Sequence, residues 1–207
     1  MLNTNKNSGL DSNPYKITLP KFDISVFGAS KKIGSNPQAI LENAGVSEGE
    51  IVADFGCGVG FFVIEIAKIV GSAGKVFAID INRELLDSLK TKALDSGLRN
   101  IYGILADLEK PGATGLDDES VDVVLMINLL YLINKKDVVL SEAQRILKKE
   151  GRLIVMDWAE KGEHTMLEKA QIVSVKEIKE LTRKLGFRKL KSFEAGLAHE
   201  VNVFRKE

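Results

Sequence analysis

Three glycines at alternate positions, Gly56, Gly58 and Gly60, separate the apolar run Ile51-Val52-Ala53-Asp54-Phe55 from a segment in which Phe62, Ile66, Ala67 and Val70 recur at helical spacing until Gly71. The first run has the length of a buried strand and the second has the period of a helix with one apolar face. Glycines between them let the chain turn sharply and bring backbone close to a ligand at a helix N-terminus. Strand, tight turn and helix in this order is the building unit of a parallel sheet with crossover helices.

The unit repeats. Lys75 to Ile79 reads as a buried strand, Asn82 as a helix cap, Leu85, Leu86, Leu89, Ala93 and Leu94 as an apolar stripe, and Gly97 as the stop. A third strand is expected at Ile101 to Leu105 and a fourth at Val121 to Ile127, with Pro111 and Gly112 in the loop between them. A helix near Lys136 to Lys148 and a fifth strand at Leu153 to Met156 follow. Upstream, Asn36 caps a helix with Pro37 in its first turn, and Gly45 ends it. Downstream, Ser174-Val175-Lys176-Glu177 is a capping box for a helix closed by Gly186. Phe187 to Phe193 and His199 to Phe204 then read as two strands joined near Gly196. The expected fold is α/β, a Rossmann-like doubly wound sheet, mostly parallel, with an antiparallel C-terminal hairpin strand; too few units are present for a barrel.

A chain of 207 residues with 44% hydrophobic and 28% charged residues has an ordinary globular balance. Residues 36–207 are expected to form one domain. Residues 1–35, whose opening stretch is rich in Asn, Ser, Lys and Pro, read as a mobile leader or lid. Its Tyr15, Phe22, Ile24, Val26 and Phe27 would either roof an acceptor pocket or pack on the sheet edge. Basic and acidic residues number 29 each, so no global field draws in nucleic acid. Lys176, Lys179, Arg183, Lys184, Arg188, Lys189 and Lys191 are interleaved with Glu177 and Glu180, the pattern of a solvated helix face rather than an RNA patch. Residues 1–8 lack the apolar core of a signal peptide and Val121 to Ile133 is too short to span a bilayer, so a cytoplasmic address is expected. Cys57 is the single cysteine and His164 and His199 the two histidines, so neither a disulfide nor a metal site is expected.

In an open α/β sheet ligands bind beyond the carboxyl ends of the strands. Here Asp54 and Asp80 close the first two strands, Asp107 follows the third and Asn128 ends the fourth. Each alone could be a cap or turn former, but recurrence at equivalent places argues for a site. A dinucleotide loop would want its third glycine where Phe61 stands, and a phosphate loop would want Gly-Lys-Ser/Thr, so a ligand without phosphate is expected. Asp80, twenty positions beyond Gly60, has the separation at which an acid accepts both ribose hydroxyls, which points to adenosine.

Val52 to Gly60, Ala78-Ile79-Asp80 and Ala106-Asp107-Leu108 resemble successive motifs of class I S-adenosylmethionine-dependent methyltransferases. Arg145 to Leu153 resembles the helix, turn and fifth strand of the branch containing the ubiquinone and menaquinone biosynthesis methyltransferases. The resemblance covers roughly Asn36 to Phe204 and implies a seven-stranded sheet whose last strand is antiparallel. It implies that the backbone from Gly56 to Gly60 holds the methionine portion, with Asp54 helping to receive its ammonium. Asp80 would hold the ribose, Ile81 and Leu108 would sandwich the adenine, Asp107 would accept from its amine and Asn128 would face the methionine end. Ile81 and Leu108 read equally well as core residues.

Two departures stand out. Leu130-Tyr131 occupies the place where quinone-branch relatives often carry histidine. Asn128-Leu129-Leu130-Tyr131 has the outline of the Asn-Pro-Pro-Tyr motif of amine-directed nucleic-acid methyltransferases without its prolines. Asp157 and Tyr131 are the candidate bases, with Trp158 a candidate platform, although Asp157-Trp158 just past the fifth strand reads as well as a loop start and a core cover. His164 and His199 are possible proton acceptors but read better as satisfied or exposed histidines, and Cys57 reads as a small residue favoured by the turn.

The expected activity is methyl transfer from S-adenosylmethionine, leaving S-adenosylhomocysteine, to a small organic acceptor. An RNA or protein acceptor, or a noncatalytic cofactor-binding scaffold subunit, are the alternatives. Arsenite is disfavoured because one cysteine cannot make a multi-thiolate site. The sequence leaves the oligomeric state open.

Overall fold

The computed structural model describes residues 36–159, 173–196 and 199–207. The expected leader, 1–35, and His164 lie outside the described residues.

Asn36 accepts the Gln38 amide at 3.0 Å and opens α1 (Pro37–Ala44), which Gly45 ends at a φ of 96°. Then β1 (Ile51–Phe55), α2 (Phe61–Val70), β2 (Lys75–Asp80), α3 (Arg83–Asp95), β3 (Ile101–Leu105), β4 (Val121–Ile127), α4 (Lys136–Ile146), β5 (Leu147–Trp158), α5 (Val175–Lys184), β6 (Phe187–Ala195) and β7 (His199–Lys206) follow in order. They build one seven-stranded sheet in the order β3-β2-β1-β4-β5-β7-β6. Neighbours from β3 through β5 are parallel, and β7 runs antiparallel to both β5 and β6. After β3 the chain returns to place β4 on the other side of β1, and ligands bind at such a reversal in strand order.

Each face of the sheet is covered. Ile40, Leu41, Phe62, Ile66, Val70 and Leu89 pack from α1, α2 and α3 onto Val52, Val76, Val123 and Ile154. On the other face Leu140, Ala143, Ile146 and Ile178 from α4 and α5 cover Phe55, Ile79, Met126 and Phe204. A fully buried side chain of this size contributes about 1.5–3 kcal/mol, so the two layers dominate stability. Strand residues alternate between the layers, which sets Asp54 and Asp80 on the α1–α3 face: Asp54 is in register with Ala78, one face-equivalent pair before Asp80.

Three local expectations need correction. The fourth helix ends at Ile146, and β5 runs from Leu147 to Trp158 instead of Leu153 to Met156. Val121 pairs with Leu147 but Val123 with Arg152, and the intervening turn uses Glu150 at a φ of 62°. Lys148-Lys149-Glu150 conceals this strand because its charges belong to an irregular segment where the β4–β5 register shifts. Asp157 and Trp158 therefore lie within β5, opposite Glu200 and His199 of β7, and not in a loop. In α3 only Leu89 and Ala93 are buried, and Leu94 is exposed; the helix lies at the sheet margin, with little core beyond β3 to receive a wider stripe. Ser174 does accept the Glu177 amide at 3.0 Å, the N-terminal half of a capping box.

Candidate functional site

The glycine turn is stapled to β2 by its own amides. Gly56 and Cys57 both donate to the Ile79 carbonyl, at 2.8 and 3.0 Å, Gly58 donates to Asp80 Oδ2 at 2.9 Å, and Gly60 donates to the Cys57 carbonyl at 3.0 Å. The three glycines differ in what they supply. A Cβ on Gly56 would come 2.7 Å from Leu129 Cδ1 and one on Gly60 2.2 Å from Leu89 Cδ1, so these two allow close packing. Gly58 has open space around it and a φ of 55°, so it answers to backbone conformation at a surface a ligand can reach. With these N–H groups consumed internally the turn is poorly equipped to cradle a phosphate, and the side chains beside it are acids.

Asp54 is 3% exposed and, among the described residues, has no hydrogen-bond donor. Burial, with the nearby Asp80 charge adding to it, pushes its carboxyl up to about 8. Such a carboxyl suits an arriving cation. Asp80 is also buried, its Oδ1 accepting the Asn82 amide at 2.9 Å and its Oδ2 the Gly58 amide. Each oxygen keeps a lone pair for a further donor, which suits a vicinal diol. Beyond them Ile81 is 46% exposed and Leu108 is buried. Asp107 Oδ1 accepts the Glu109 amide at 3.1 Å, and its Oδ2 pairs with Lys110 at 3.5 Å on the surface. Burial, then the Asp54 and Asp80 charges, push the Cys57 thiol upward, so it remains a thiol and is no nucleophile.

A second group of side chains gathers at the ends of β4, β5 and β7. Asn128 takes a φ of 52°, a conformation asparagine tolerates, and its amide donates to the Met156 carbonyl at 2.8 Å. Its Oδ1 lies 2.9 Å from His199 Nε2, and the His199 ring stacks on Trp158 with centroids 4.4 Å apart. The sequence reads His199 as satisfied or exposed, and in the structure it is satisfied by Asn128. It is buried, and its contact with Asn128 depends on the β5–β7 pairing, which no spacing in the sequence specifies. The available signal was its alternation with Val201 and Val203, which puts all three on the α1–α3 face.

On the opposite face Tyr131 sits in the 3₁₀ turn Leu130–Leu132 above Asp157. Burial raises the Asp157 carboxyl to about 6, opposed by the Trp158, Tyr131 and Leu130 amides and by the Lys136 charge. Oδ1 accepts the Trp158 amide at 2.9 Å, while Oδ2 has no fully formed hydrogen bond. Burial and the Asp157 charge raise the Tyr131 phenol, against a hydrogen bond with the Trp158 side chain. Asp157 is thus the group whose proton affinity falls nearest neutrality on this side, and Tyr131 stays protonated.

Other features lie away from this end of the sheet. One groove, about 420 Å³, is lined by Lys68, Lys75, Arg99 and Tyr102 at the amino ends of β2 and β3. No group of three or more potential metal ligands occurs among the described residues. No helix among them is long and apolar enough to cross a membrane. Part of the basic tail is engaged: Lys184 pairs with Glu180 at 3.2 Å, Arg188 with Glu207 at 2.9 Å, and Lys189 donates to Asn202 Oδ1 at 2.6 Å.

Comparison with known proteins agrees with this fold. Residues 46–199 match the family model described as a methyltransferase domain. The ubiquinone/menaquinone biosynthesis C-methyltransferase UbiE of Teredinibacter turnerae is 32% identical over 131 residues, 63% of this chain and 51% of that protein. The protein of the same name from Hahella chejuensis is 33% identical over 120 residues, 58% and 47% of the two chains. The chain thus spans about half the length of the curated relatives it matches. A solved S-adenosylmethionine-dependent methyltransferase from Aquifex aeolicus superimposes with a TM-score of 0.77 at 26% identity, covering 90% of this chain and all (100%) of that one.

Proposed function

The chain belongs to the S-adenosylmethionine-dependent methyltransferases, and we propose that it transfers a methyl group to a small organic acceptor held at the β4–β5–β7 end of the sheet. The observation that carries the reading is the pair Asp54 and Asp80. One is a buried carboxyl with no donor of its own, the other a carboxylate bridging two loop amides with capacity to spare.

These residues fit the cofactor. Asp54 suits the methionine ammonium, Asp80 the ribose hydroxyls, Asp107 the adenine amine, and Ile81 and Leu108 the adenine faces, with Asn128 toward the methionine end. The Gly58 position leaves room for the ligand to approach backbone. When bound, S-adenosylmethionine supplies a methyl group already activated by its sulfonium sulfur. The protein's task is then to orient the acceptor and exclude water. Asp157, held near Tyr131, is the group proposed to take a proton from the acceptor. Trp158, the next residue of β5, offers an apolar platform on the other face, where its ring lies against His199, and the quinone-branch relatives make a small organic acceptor the preferred class. Leu130-Tyr131 in place of the histidine of that branch leaves a quinone itself outside the proposal.

Calorimetry with S-adenosylmethionine tests the cofactor site. Micromolar binding is expected, weakened roughly tenfold or more by Asp80→Ala through loss of charge-assisted bonds. An absence of heat and of thermal shift with folded wild-type protein would refute it. Incubation of a metabolite pool with methyl-labelled donor tests the acceptor class: label recovered only in protein or RNA would remove the small-acceptor reading.

A further inference from the structure

The two edges of the sheet are built differently. The β6 edge carries Arg188, Lys189 and Lys191, and its pairing shifts register between Lys189 and Lys191. Charges and irregularities are the means by which proteins keep an edge from pairing with another chain. The β3 edge has neither. Ile101-Tyr102-Gly103-Ile104-Leu105 is uncharged, pairs with β2 without a shift, and leaves Tyr102 and Leu105 each 46% exposed.

Among the described residues no strand pairs with its outer hydrogen-bonding row, and that row is symmetric. Val76 donates to the Asn100 carbonyl at 2.8 Å and Ala106 donates to the Asp80 carbonyl at 2.9 Å. By strand alternation Asn100, Tyr102, Ile104 and Ala106 turn their backbone groups to β2, and Ile101, Gly103 and Leu105 turn theirs to the open edge.

We propose that this edge binds a second copy of the chain, the two β3 strands pairing antiparallel about a two-fold axis at Gly103. In that register Gly103 pairs with Gly103 of the second copy and Ile101 with its Leu105, so each outward N–H and C=O of the three residues finds a partner. The exposed Leu105 then lies across from Ile101 on the α3 face. Tyr102 lies across from Ile104 on the other face, an aromatic and β-branched pair at the closer spacing of a non-hydrogen-bonded site. Just past the strand ends Arg99 meets Asp107 of the copy, because the two lie equally far on either side of Gly103. A parallel pairing would set Arg99 against Arg99, and an unrelated strand would have no reason to match this charge symmetry. The contact joins the two sheets into one and is isologous, as two-fold dimers require.

Sedimentation velocity over a loading range of about 1 to 500 μM is the test, since a short edge contact is small by the standard of stable interfaces. The wild type is expected to shift from 22.7 kDa toward twice that mass as concentration rises. Leu105→Lys and Arg99→Asp should each abolish the shift, and Arg99→Asp combined with Asp107→Arg should restore it. Gly103→Cys supplies an independent measurement: its Cβ has only ordinary contact, 3.7 Å from Leu86, and the native Cys57 is buried. Mild oxidation should give a covalent dimer linked through position 103. A wild type that stays monomeric throughout overturns the proposal, as does a dimer that tolerates Leu105→Lys and yields no link at 103. So does hydrogen-exchange protection at Ile101, Gly103 and Leu105 that vanishes when residues 1–35 are removed, since the occupant would then be the chain's own leader.

Discussion

His199 Nε2 on β7 lies 2.9 Å from Asn128 Oδ1 at the end of β4, a contact that reaches across β5 and fixes the asparagine amide. An amide oxygen only accepts, so this imidazole nitrogen carries the proton. The ring stack on Trp158 holds the donor in place from the other side. Asn128 is thereby oriented at the end of the site proposed to receive the methionine portion.

His199→Phe keeps a ring against Trp158 but removes the donor, whereas His199→Gln restores a donor. S-adenosylhomocysteine should bind about five- to tenfold more weakly to the phenylalanine variant, the worth of one oriented hydrogen bond. Glutamine should recover much of that loss. Methylthioadenosine, which lacks the amino-acid end, should bind all three proteins alike by calorimetry. Equal weakening of both ligands would mean that His199 acts only through general stability.

How much could be read from the sequence depended on the distance between the residues concerned. The Gly56 to Gly60 turn, the Asn36 and Asn82 caps and Asp80 at the end of β2 are local features, and local chemistry specifies them. The alternation of elements carries the parallel sheet and its antiparallel last strand. By contrast, the burial of Asp54 and Asp157 and the bonding of His199 are set by neighbours brought from elsewhere in the chain. Cross-strand register decides it, and one chain read alone does not encode register in any short motif. The same limit hid the amino-terminal extension of β5, where Glu150 turns the chain at a positive φ without a glycine.

Away from the site, buried Glu142 on α4 accepts from the Thr114 hydroxyl at 2.6 Å, the Thr114 amide at 3.2 Å and Arg145 Nη2 at 2.8 Å. Burial alone would raise its carboxyl, but the Arg145 and Thr114 bonds outweigh it and hold the group below its ordinary value. Its stabilising contribution is therefore present at neutral pH and lost as pH falls through the acid range. Glu142→Ala should cost about 2–3 kcal/mol in urea denaturation at pH 7 by leaving buried donors unpaired. The gap between variant and wild type should narrow toward pH 4. A gap that is the same at both values would show that packing, not charge, supplies the effect.

For Asp157 to accept a proton it must be ionised, and burial delays that to about pH 6. Turnover with an identified acceptor should rise with pH to a plateau above about 6. Asp157→Asn should lower the plateau by roughly 10²- to 10⁴-fold, the range of general base catalysis, and abolish the rise. Binding of S-adenosylhomocysteine should change little. A variant with the same limb and a plateau near wild type would remove Asp157 from the proton-accepting role.

In the role proposed for it, Asp54 would couple stability and cofactor binding in opposite directions. Its carboxyl has an ordinary value of 3.8 and is raised to about 8 in the fold, chiefly by burial. Between those values the native state holds a proton that the unfolded chain has lost, so stability falls as pH rises from about 4 to about 8. Asp54→Asn removes the ionisation at almost the same volume. The variant should match the wild type near pH 4 and melt higher at pH 8, each kcal/mol recovered being worth about 2–4 °C in a chain of this size. Binding should show the converse. A bound ammonium favours the charged carboxylate, so at pH 6.5 the wild type should release about one proton on taking up S-adenosylhomocysteine, read from calorimetry in buffers of different ionisation heat. Asp54→Asn should release none and bind more weakly. If both proteins release the same number of protons, Asp54 does not receive the cation, and its burial requires another explanation.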